Sequence, residues 1–192
     1  MTLSNMPTES TASVGLGVSI LTVSDTRTLA TDTSGAWLVE AVLAAGHAIV
    51  DRSLVVDDPY HIRAKVSGWI IHPSIQVIIT TGGTGFSHRD TTPEALMPLF
   101  DREIVGFGEY FRQLSVADVG ASTIQSRAVA GFSNEVAIFA LPGSTKACRT
   151  AWTEILATQL NAAHKPCNFV SHLKRVSSQD ESIGNYAASL TE

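Results

Sequence analysis

The segment TTGGTGFSHRDTTPE, residues 80–94, follows an apolar run at 75–79 and combines glycines, charged residues and a helix start. An apolar run that gives way to glycines is typical of a buried strand ending in a tight turn. Gly82, Gly83 and Gly85 can adopt backbone conformations that other residues avoid, and they leave N–H groups open to a ligand. An ordinary strand-to-helix turn would use the same glycines, so the glycines alone favour a turn over a binding site.

Charged residues and a helix start follow the glycines within the same segment. Arg89 offers a planar fork of donors for a phosphate group, and Asp90 offers a hard carboxylate ligand for a divalent cation. Thr92 is predicted to cap a helix whose first position is Pro93. With these residues added, the segment predicts a site for a phosphate group and a metal ion.

Composition and charge limit the class of protein. A chain of 192 residues with 44% hydrophobic and 16% charged residues indicates one compact domain. The net charge of −5 argues against general binding to nucleic acid. We expect a cytoplasmic protein that does not bind membranes, because we find no apolar run of bilayer length and no signal-peptide features. Cys148 and Cys167 are too few for a disulfide framework or a zinc site.

The ends of the chain differ in composition from its middle. Residues 1–14 are rich in Ser, Thr and Asn, and residues 176–192 are again mostly small and polar. We expect both ends to be flexible tails, and we expect a single domain at 15–175.

Strand-like apolar runs alternate with amphipathic helical segments through this domain. The predicted strands are 18–23, 49–56, 75–81 and 136–141. The predicted helices are one that ends at Gly46, one opened by Asp58 and Pro59, one that begins at Pro93 and one that follows Ser144. This alternation predicts an α/β fold of three layers, with a mostly parallel sheet and helices on both of its faces.

Ligands of such sheets bind beyond the carboxyl ends of the strands, and that rule selects four loops. These loops are 24–33, 57–58, 82–92 and 142–146. Asp57 is well placed to hold Mg²⁺ together with substrate phosphate oxygens, whereas Asp58 could equally be a helix cap. The P-loop and dinucleotide-binding signatures are both missing. From the residues alone we predict a protein that binds a phosphorylated small molecule with a divalent metal.

Five motifs occur in a fixed order along the predicted domain. They are SDTRTLATDTSG (24–35), TTGGTGFSHRDTTPEAL (80–96), EIVGFGEYFRQLS (103–115), SRAVAG (126–131) and FALPGSTKA (139–147). In order and spacing this set resembles the molybdenum cofactor biosynthesis proteins of the MoaB/Mog type, over about residues 18–169. Within that family SDTRT, SRAVAG and the PCNF at 166–169 are more similar to the MoaB branch.

The resemblance implies an enzyme, a molybdopterin adenylyltransferase. Mog-type relatives transfer the adenylyl group of Mg-ATP to the terminal phosphate of molybdopterin and release pyrophosphate. Asp57 and Asp90 match carboxylates that the family requires for activity, and we assign both to catalysis and to binding Mg²⁺. The residues matched to the substrate and nucleotide pocket are Ser24, Asp25, Gly82, Gly83, Thr84, Gly85, Pro142, Gly143 and Ser144. Arg89 joins that set because of its charge.

Two other functions stay open beside adenylyl transfer. Some MoaB-branch members keep the fold without catalysing adenylylation, so the chain could bind molybdopterin or nucleotide as a carrier or scaffold. The related domain of the competence-damage type hydrolyses pyrophosphates and usually begins its first loop with Gly-Asp-Glu. Ser24, Asp25 and Thr26 at that position count against the hydrolase.

The resemblance also implies self-association, as a trimer or as a pair of trimers, and allows contacts with other cofactor-biosynthesis proteins. The sequence contributes an aromatic segment that includes Phe107, Tyr110 and Phe111, which we interpret as more apolar than one small domain needs. Closed symmetry is the usual arrangement of such assemblies.

Overall fold

The computed structural model describes residues 15–176. The flexible tails predicted at 1–14 and 176–192 lie outside the described residues, apart from Val176.

Within residues 15–176, six strands form a single sheet in the spatial order β2-β1-β3-β6-β5-β4. The strands are β1 (Gly17–Val23), β2 (Ala48–Val55), β3 (Val77–Thr81), β4 (Arg102–Glu103), β5 (Val129–Ser133) and β6 (Val136–Leu141). The first four in spatial order are parallel, whereas β5 runs antiparallel to β6 and β4 runs antiparallel to β5. The predicted α/β fold with a mostly parallel sheet is therefore confirmed.

Helices connect the strands and cover the sheet. The helices are α1 (Thr33–Ala44), α2 (Pro59–Ile70), α3 (Thr92–Leu96), α4 (Val105–Val119), α5 (Thr145–Ala151) and α6 (Ala157–Gln159). Between α5 and α6 the chain stays helical through a π-helical stretch, Trp152–Leu156. Short 3₁₀ turns lie at Met97–Leu99, Gly120–Gln125 and Val170–His172.

Two apolar clusters, one on each face of the sheet, account for the three layers. Side chains of a strand alternate between faces, so Val18 and Ile20 join one cluster while Leu21 and Val23 join the other. The first cluster is covered by α1, α4 and α5, and the second by α2 and α3. The strands are buried on both faces, which is why the sequence shows continuous apolar runs in place of alternation.

The predicted strands and helices agree with the structure to within two residues at each predicted boundary. Strand β6 has the predicted bounds, and Asp58 and Ser144 cap α2 and α5 through their side chains. The cap predicted at Thr92 is wrong: Thr91 stands at that position and Thr92 is already helical. The hydroxyl of Thr92 donates to the carbonyl oxygen of Gly82 at 2.8 Å, so it fastens the helix to the preceding loop.

Strands β4 and β5 and helix α4 did not follow from the sequence patterns. The aromatic segment that we interpreted as more apolar than one small domain needs belongs to α4. Two of its rings pack in the core of the same chain. Phe107 and Phe111 are 4% and 1% exposed, and Phe107 packs edge-on against Phe139. That part of the argument for self-association is wrong, because only Tyr110 of the three is exposed.

Among residues 15–176, no helix is long and apolar enough to cross a bilayer.

Candidate functional site

The strand order reverses beside β1, and the loops that leave the sheet there lie close together. From β1 the chain passes through α1 to β2 on one side, then returns through α2 to β3 on the other side of β1. Such a reversal opens a crevice at the carboxyl ends of the strands. The loops predicted from the sequence follow β1, β2, β3 and β6, so all four leave the same edge of the sheet.

Gly82 and Gly83 sit where these loops meet, in positions that need glycine. Gly82 has a φ of 105°, and a Cβ there would lie 2.2 Å from the carbonyl oxygen of Val23 at the end of β1. Its N–H donates to the carbonyl oxygen of Leu141 at the end of β6, at 3.0 Å. Gly83 has a φ of 64°, and a Cβ there would lie 2.7 Å from Oδ2 of Asp57. The backbone of the loop therefore lies close to the backbone at the ends of β1 and β6 and to the side chain of Asp57, which follows β2.

Asp57 is buried against this loop, which we call the glycine loop (residues 82–91). Its Oδ1 accepts hydrogen bonds from the backbone N–H and the hydroxyl of Thr91, at 3.0 and 2.8 Å. Its Oδ2 lies beside Gly83 and takes no hydrogen bond from any residue of 15–176. One oxygen thus orders the loop, and the other is left for a ligand.

Asp90 belongs to the glycine loop itself and lies near its end. Its Oδ2 accepts a hydrogen bond from the backbone N–H of Ser87 at 2.8 Å and lies beside Gly85. Its backbone N–H donates to the carbonyl oxygen of Ser87 at 2.9 Å. Asp57 and Asp90, which come from different strand ends in the sequence, therefore lie against Gly83 and Gly85 of one loop.

The residues present fit Mg²⁺ that arrives with a substrate better than a permanently bound metal. Among residues 15–176 no group of three or more His, Cys, Asp and Glu side chains could hold an ion. Mg²⁺ is commonly held by one or two carboxylates together with substrate phosphate oxygens. Asp57 and Asp90 each keep one carboxylate oxygen that makes no hydrogen bond within the described chain, which suits that arrangement.

Arg89 of the glycine loop is paired with Asp25 of the loop after β1. Its Nε donates to Oδ2 of Asp25 at 2.9 Å, and its Nη2 donates to Oδ1 at 2.7 Å. The Arg89 guanidinium, helped by the backbone N–H of Asp57, lowers the pKa of Asp25, so that carboxyl stays ionised. Arg89 keeps one terminal nitrogen, Nη1, without a partner among residues 15–176, and its side chain is 53% exposed.

A polar cavity of about 210 Å³ lies between the loops that follow β1 and β6. Ser24, Gly143 and Ser144 line it, and Pro142 lies beside it. The hydroxyl of Ser24 accepts from the backbone N–H of Arg27 at 3.1 Å, which folds the first loop into a turn. The carbonyl oxygen of Pro142 accepts from the hydroxyl of Thr81 at 3.0 Å, which ties the β6 loop to β3. The remaining predicted site residue, Thr84, is buried in the glycine loop.

Sequence reasoning missed the ion pair of Asp32 and Arg52 beside this cavity. Asp32 caps α1 and accepts from Nη2 of Arg52 at 3.0 Å and from the hydroxyl of Thr22 at 2.7 Å. Burial would raise the pKa of Asp32, but the bonds from Thr22, Gly35 and Arg52 outweigh it and lower the pKa overall. Asp32 lies in the loop after β1 and Arg52 lies within β2, and no local sequence pattern marks the two as partners.

Comparisons with known proteins identify the family of the chain. The family described as "Probable molybdopterin binding domain" matches residues 19–162, and the chain belongs to this family of molybdenum cofactor biosynthesis domains. Molybdenum cofactor biosynthesis protein B of Escherichia coli (strain K12) is 54% identical over 166 residues, 86% of this chain and 98% of that protein. The relatives support the MoaB branch of the family.

Solved structures support the same family and the same branch of it. A crystal structure of molybdenum cofactor biosynthesis protein B is 39% identical, with a TM-score of 0.74 over 76% of this chain and 91% of the other. The tungsten cofactor synthesizing protein MoaB from Pyrococcus furiosus is 34% identical, with a TM-score of 0.68 over 76% of this chain and 93% of the other. The chain therefore acts in molybdenum cofactor biosynthesis, and its fold is that of the MoaB proteins.

Proposed function

We propose that this chain is a molybdopterin adenylyltransferase that uses Mg-ATP. The observation that carries the proposal is the position of Asp57 and Asp90 against Gly83 and Gly85 of one loop. This loop lies at the strand edge where sheets of this kind bind ligands. The molybdopterin-binding description of the family supports molybdopterin as one of the two substrates.

In the proposed reaction the nucleophile belongs to the substrate. A terminal phosphate oxygen of molybdopterin forms a bond to the α-phosphorus of ATP, and the bond from that phosphorus to the bridging oxygen breaks. The electron pair of the broken bond leaves with pyrophosphate, and the product is adenylyl-molybdopterin. No serine, cysteine or histidine of the chain needs to act as a nucleophile, so catalysis reduces to positioning and charge stabilisation.

The residues of the site then take distinct tasks. Asp57 and Asp90 would hold Mg²⁺, whose charge offsets the negative charge of the triphosphate. The N–H groups of the glycine loop would donate to phosphate oxygens. The fixed pair of Arg89 and Asp25 would set the distance between the glycine loop and the loop after β1, and Nη1 of Arg89 would contact an anion. Ser24, Pro142, Gly143 and Ser144 would border the pocket for the rest of the substrates.

Self-association belongs to the same proposal, as a trimer or a pair of trimers. Supporting it, α4 exposes several large apolar side chains, among them Val105, Tyr110, Val116 and Val119. Apolar surface of this kind is commonly covered in an assembly. We also propose that the protein works in the cytoplasm and contacts other proteins that act on the same cofactor, since its product must pass to a metal-insertion step.

A second function, binding of molybdopterin or nucleotide without turnover, is supported by a different observation. Asp57 uses one carboxylate oxygen to order Thr91, and Asp90 uses one to order Ser87, so both residues have a structural task that is independent of catalysis. A carrier or scaffold would retain both aspartates for that reason. The hydrolase of the competence-damage type has no comparable support, since Ser24, Asp25 and Thr26 stand where that type usually has Gly-Asp-Glu.

The two functions differ in turnover. Incubation of the protein with molybdopterin, ATP and Mg²⁺ tests for adenylyl-molybdopterin and pyrophosphate. An adenylyltransferase forms both in equal amounts, whereas a carrier binds the pterin and forms neither. Calorimetry adds a second test: without a P-loop lysine, ATP should bind modestly and only with metal, and tight binding of ATP in EDTA would contradict the proposed site.

A further inference from the structure

Arg127, just before β5, makes more contacts with the glycine loop than any residue selected from the sequence. Its Nε donates to the carbonyl oxygen of Gly85 at 2.7 Å, and its Nη2 donates to the carbonyl oxygen of Asp90 at 2.7 Å. Gly85 and Asp90 stand at the two ends of a short segment, 85–90. One guanidinium therefore joins both ends of that segment.

Two more contacts fix the guanidinium itself. Its Nη1 is paired with the carboxylate of Glu94 in α3, and its Cζ lies over the ring of Phe86, 5.2 Å from the ring centre. The side chain of Arg127 is 22% exposed, so its hydrogen bonds are partly shielded from water. All three nitrogens of the fork are occupied, and each partner belongs to the glycine loop or to the helix that follows it.

We propose that Arg127 is a positioning residue, which fixes the segment 85–90 and thereby places the carboxylate of Asp90. The bond to the carbonyl oxygen of Asp90 holds the backbone from which that carboxylate extends. The bond to Gly85 holds the residue against which the same carboxylate rests. Arg127 acts through Asp90 and makes no contact with substrate in this role. The consequence for nucleotide binding rests on the proposed function, whereas the ordering of the segment does not.

A lysine at position 127 tests the geometry of the guanidinium separately from its positive charge. Arg127→Lys keeps the positive charge but offers one nitrogen where the native side chain uses three, so it cannot reach Gly85, Asp90 and Glu94 together. The backbone N–H of residue 127 donates to the carbonyl oxygen of Thr84 at 3.0 Å and is unaffected by the substitution. The variant should therefore fold, with the segment 85–90 loosened.

Arg63→Lys is the matched control. Arg63 donates from Nε to the carbonyl oxygen of Ala95 at 3.1 Å and from Nη2 to that of Glu94 at 2.6 Å. It thus holds α3 from the side of α2, and within residues 15–176 no hydrogen bond joins it to the segment 85–90. The two variants lose comparable bonds to carbonyl oxygens, but only one of them loses bonds to the segment.

The first measurement is hydrogen exchange, by mass spectrometry, of the full chain without ligand. Peptides covering 86–90 should exchange about tenfold faster in Arg127→Lys than in the wild type, and at the wild-type rate in Arg63→Lys. Unchanged exchange in Arg127→Lys, or an equal increase in both variants, would overturn the proposal. The second outcome would mean that Arg127 contributes only general stability.

The second measurement is calorimetric titration with Mg²⁺ and a non-hydrolysable ATP analogue. The Kd of Arg127→Lys should rise about tenfold, while that of Arg63→Lys stays at the wild-type value. A wild-type Kd in Arg127→Lys would contradict the placement of Asp90 by Arg127. If the wild-type chain binds no Mg-nucleotide, the proposed function fails, and the exchange measurement still decides whether Arg127 orders the segment.

Discussion

Arg89 and Asp25, 64 residues apart in the sequence, form a two-bond pair that bridges the loops after β3 and β1. The sequence predicted that the guanidinium of Arg89 faces a phosphate group. The structure shows that two of its three nitrogens are committed to a carboxylate of the same chain. The pair therefore links the two loops in the ligand-free chain.

Replacing Arg89 by methionine should raise the pKa of Asp25 toward its ordinary value of 3.8, because the main cause of the lowered pKa is lost. A carboxyl whose folded-state pKa is depressed adds stability above its unfolded-state pKa, and that stability is lost as the pH falls through the folded-state pKa. The wild type should thus have the larger free energy of unfolding at neutral pH. The difference between the two proteins should shrink as the pH falls below 3.8 and Asp25 becomes protonated. Denaturant titrations at several pH values, with an NMR titration of the Asp25 carboxyl carbon, measure both effects. An Asp25 pKa that is the same in both proteins would show that the pair does not form in solution.

Asp90→Asn should lower the rate of adenylyl transfer by about a hundredfold or more, which corresponds to ~3 kcal/mol in the activation barrier. The amide oxygen can still accept from the N–H of Ser87, so the fold should be retained while the charge that attracts Mg²⁺ is lost. Asp90→Asn is a cleaner test than Asp57→Asn, since Asp57 is buried and orders Thr91 through two hydrogen bonds.

Asp58→Asn is the control for charge at this edge of the sheet. Asp58 caps α2 by accepting from the N–H groups of Tyr60 and His61, and it lies next to Asp57 in the sequence. The control should lose some thermal stability and keep its turnover. Wild-type turnover in Asp90→Asn, or an equal loss in Asp58→Asn, would remove Asp90 from the catalytic site.

Gly83→Ala should both destabilise the protein and weaken Mg-ATP binding. A residue with a side chain at a φ of 64° is strained, and the new Cβ would lie 2.3 Å from the hydroxyl of Thr92 and 2.7 Å from Oδ2 of Asp57. We expect the free energy of unfolding to fall by about 1–2 kcal/mol from the backbone alone. Gly68→Ala is the matched control, because Gly68 lies in α2 with open space around it. That variant should be more stable than the wild type by about 0.5–1 kcal/mol. Thermal unfolding and calorimetry measure both changes, and equal shifts in the two variants would refute the argument.

Light scattering at micromolar concentration tests self-association. The chain has a mass of 20.4 kDa, and we expect a particle of three or six times that mass. Val116→Glu on the exposed face of α4 should lower the particle mass, because a charge placed in an apolar interface is costly. Particles of single-chain mass in the wild type would exclude the assembly. Wild-type mass in Val116→Glu would move the interface to another surface.

The sequence was sufficient for the loops of the crevice because parallel strands share a direction. Each apolar run ends at the same edge of the sheet, so residues such as Asp57 and Gly83 could be placed together without knowing the strand order. The position of Arg127 could not be predicted in this way, because its strand runs in the opposite direction. It precedes β5, which is antiparallel to β6, so the start of β5 lies at the edge where the parallel strands end. Nothing in a short apolar run reveals the direction of its strand.

Ion pairs between residues far apart in the sequence could not be predicted either. The pairing of Arg52 with Asp32, and that of Arg89 with Asp25, depends on loop conformations that no local pattern encodes. The aromatic residues of α4 illustrate the reverse error: Phe107 and Phe111 belong to the core, but β5, whose Ala130 and Phe132 pack in the same core, does not follow from the sequence pattern.

The most direct test of the account follows the α-phosphorus of ATP. The wild-type chain is incubated with molybdopterin, Mg²⁺ and ATP labelled at the α-phosphate, beside Asp90→Asn as the matched inactive variant. We predict that the label appears in adenylyl-molybdopterin, with one pyrophosphate released for each pterin modified, and that the variant forms product about a hundredfold more slowly. Molybdopterin that binds to the wild-type chain but never acquires the label would contradict adenylyl transfer and leave the chain as a binding protein.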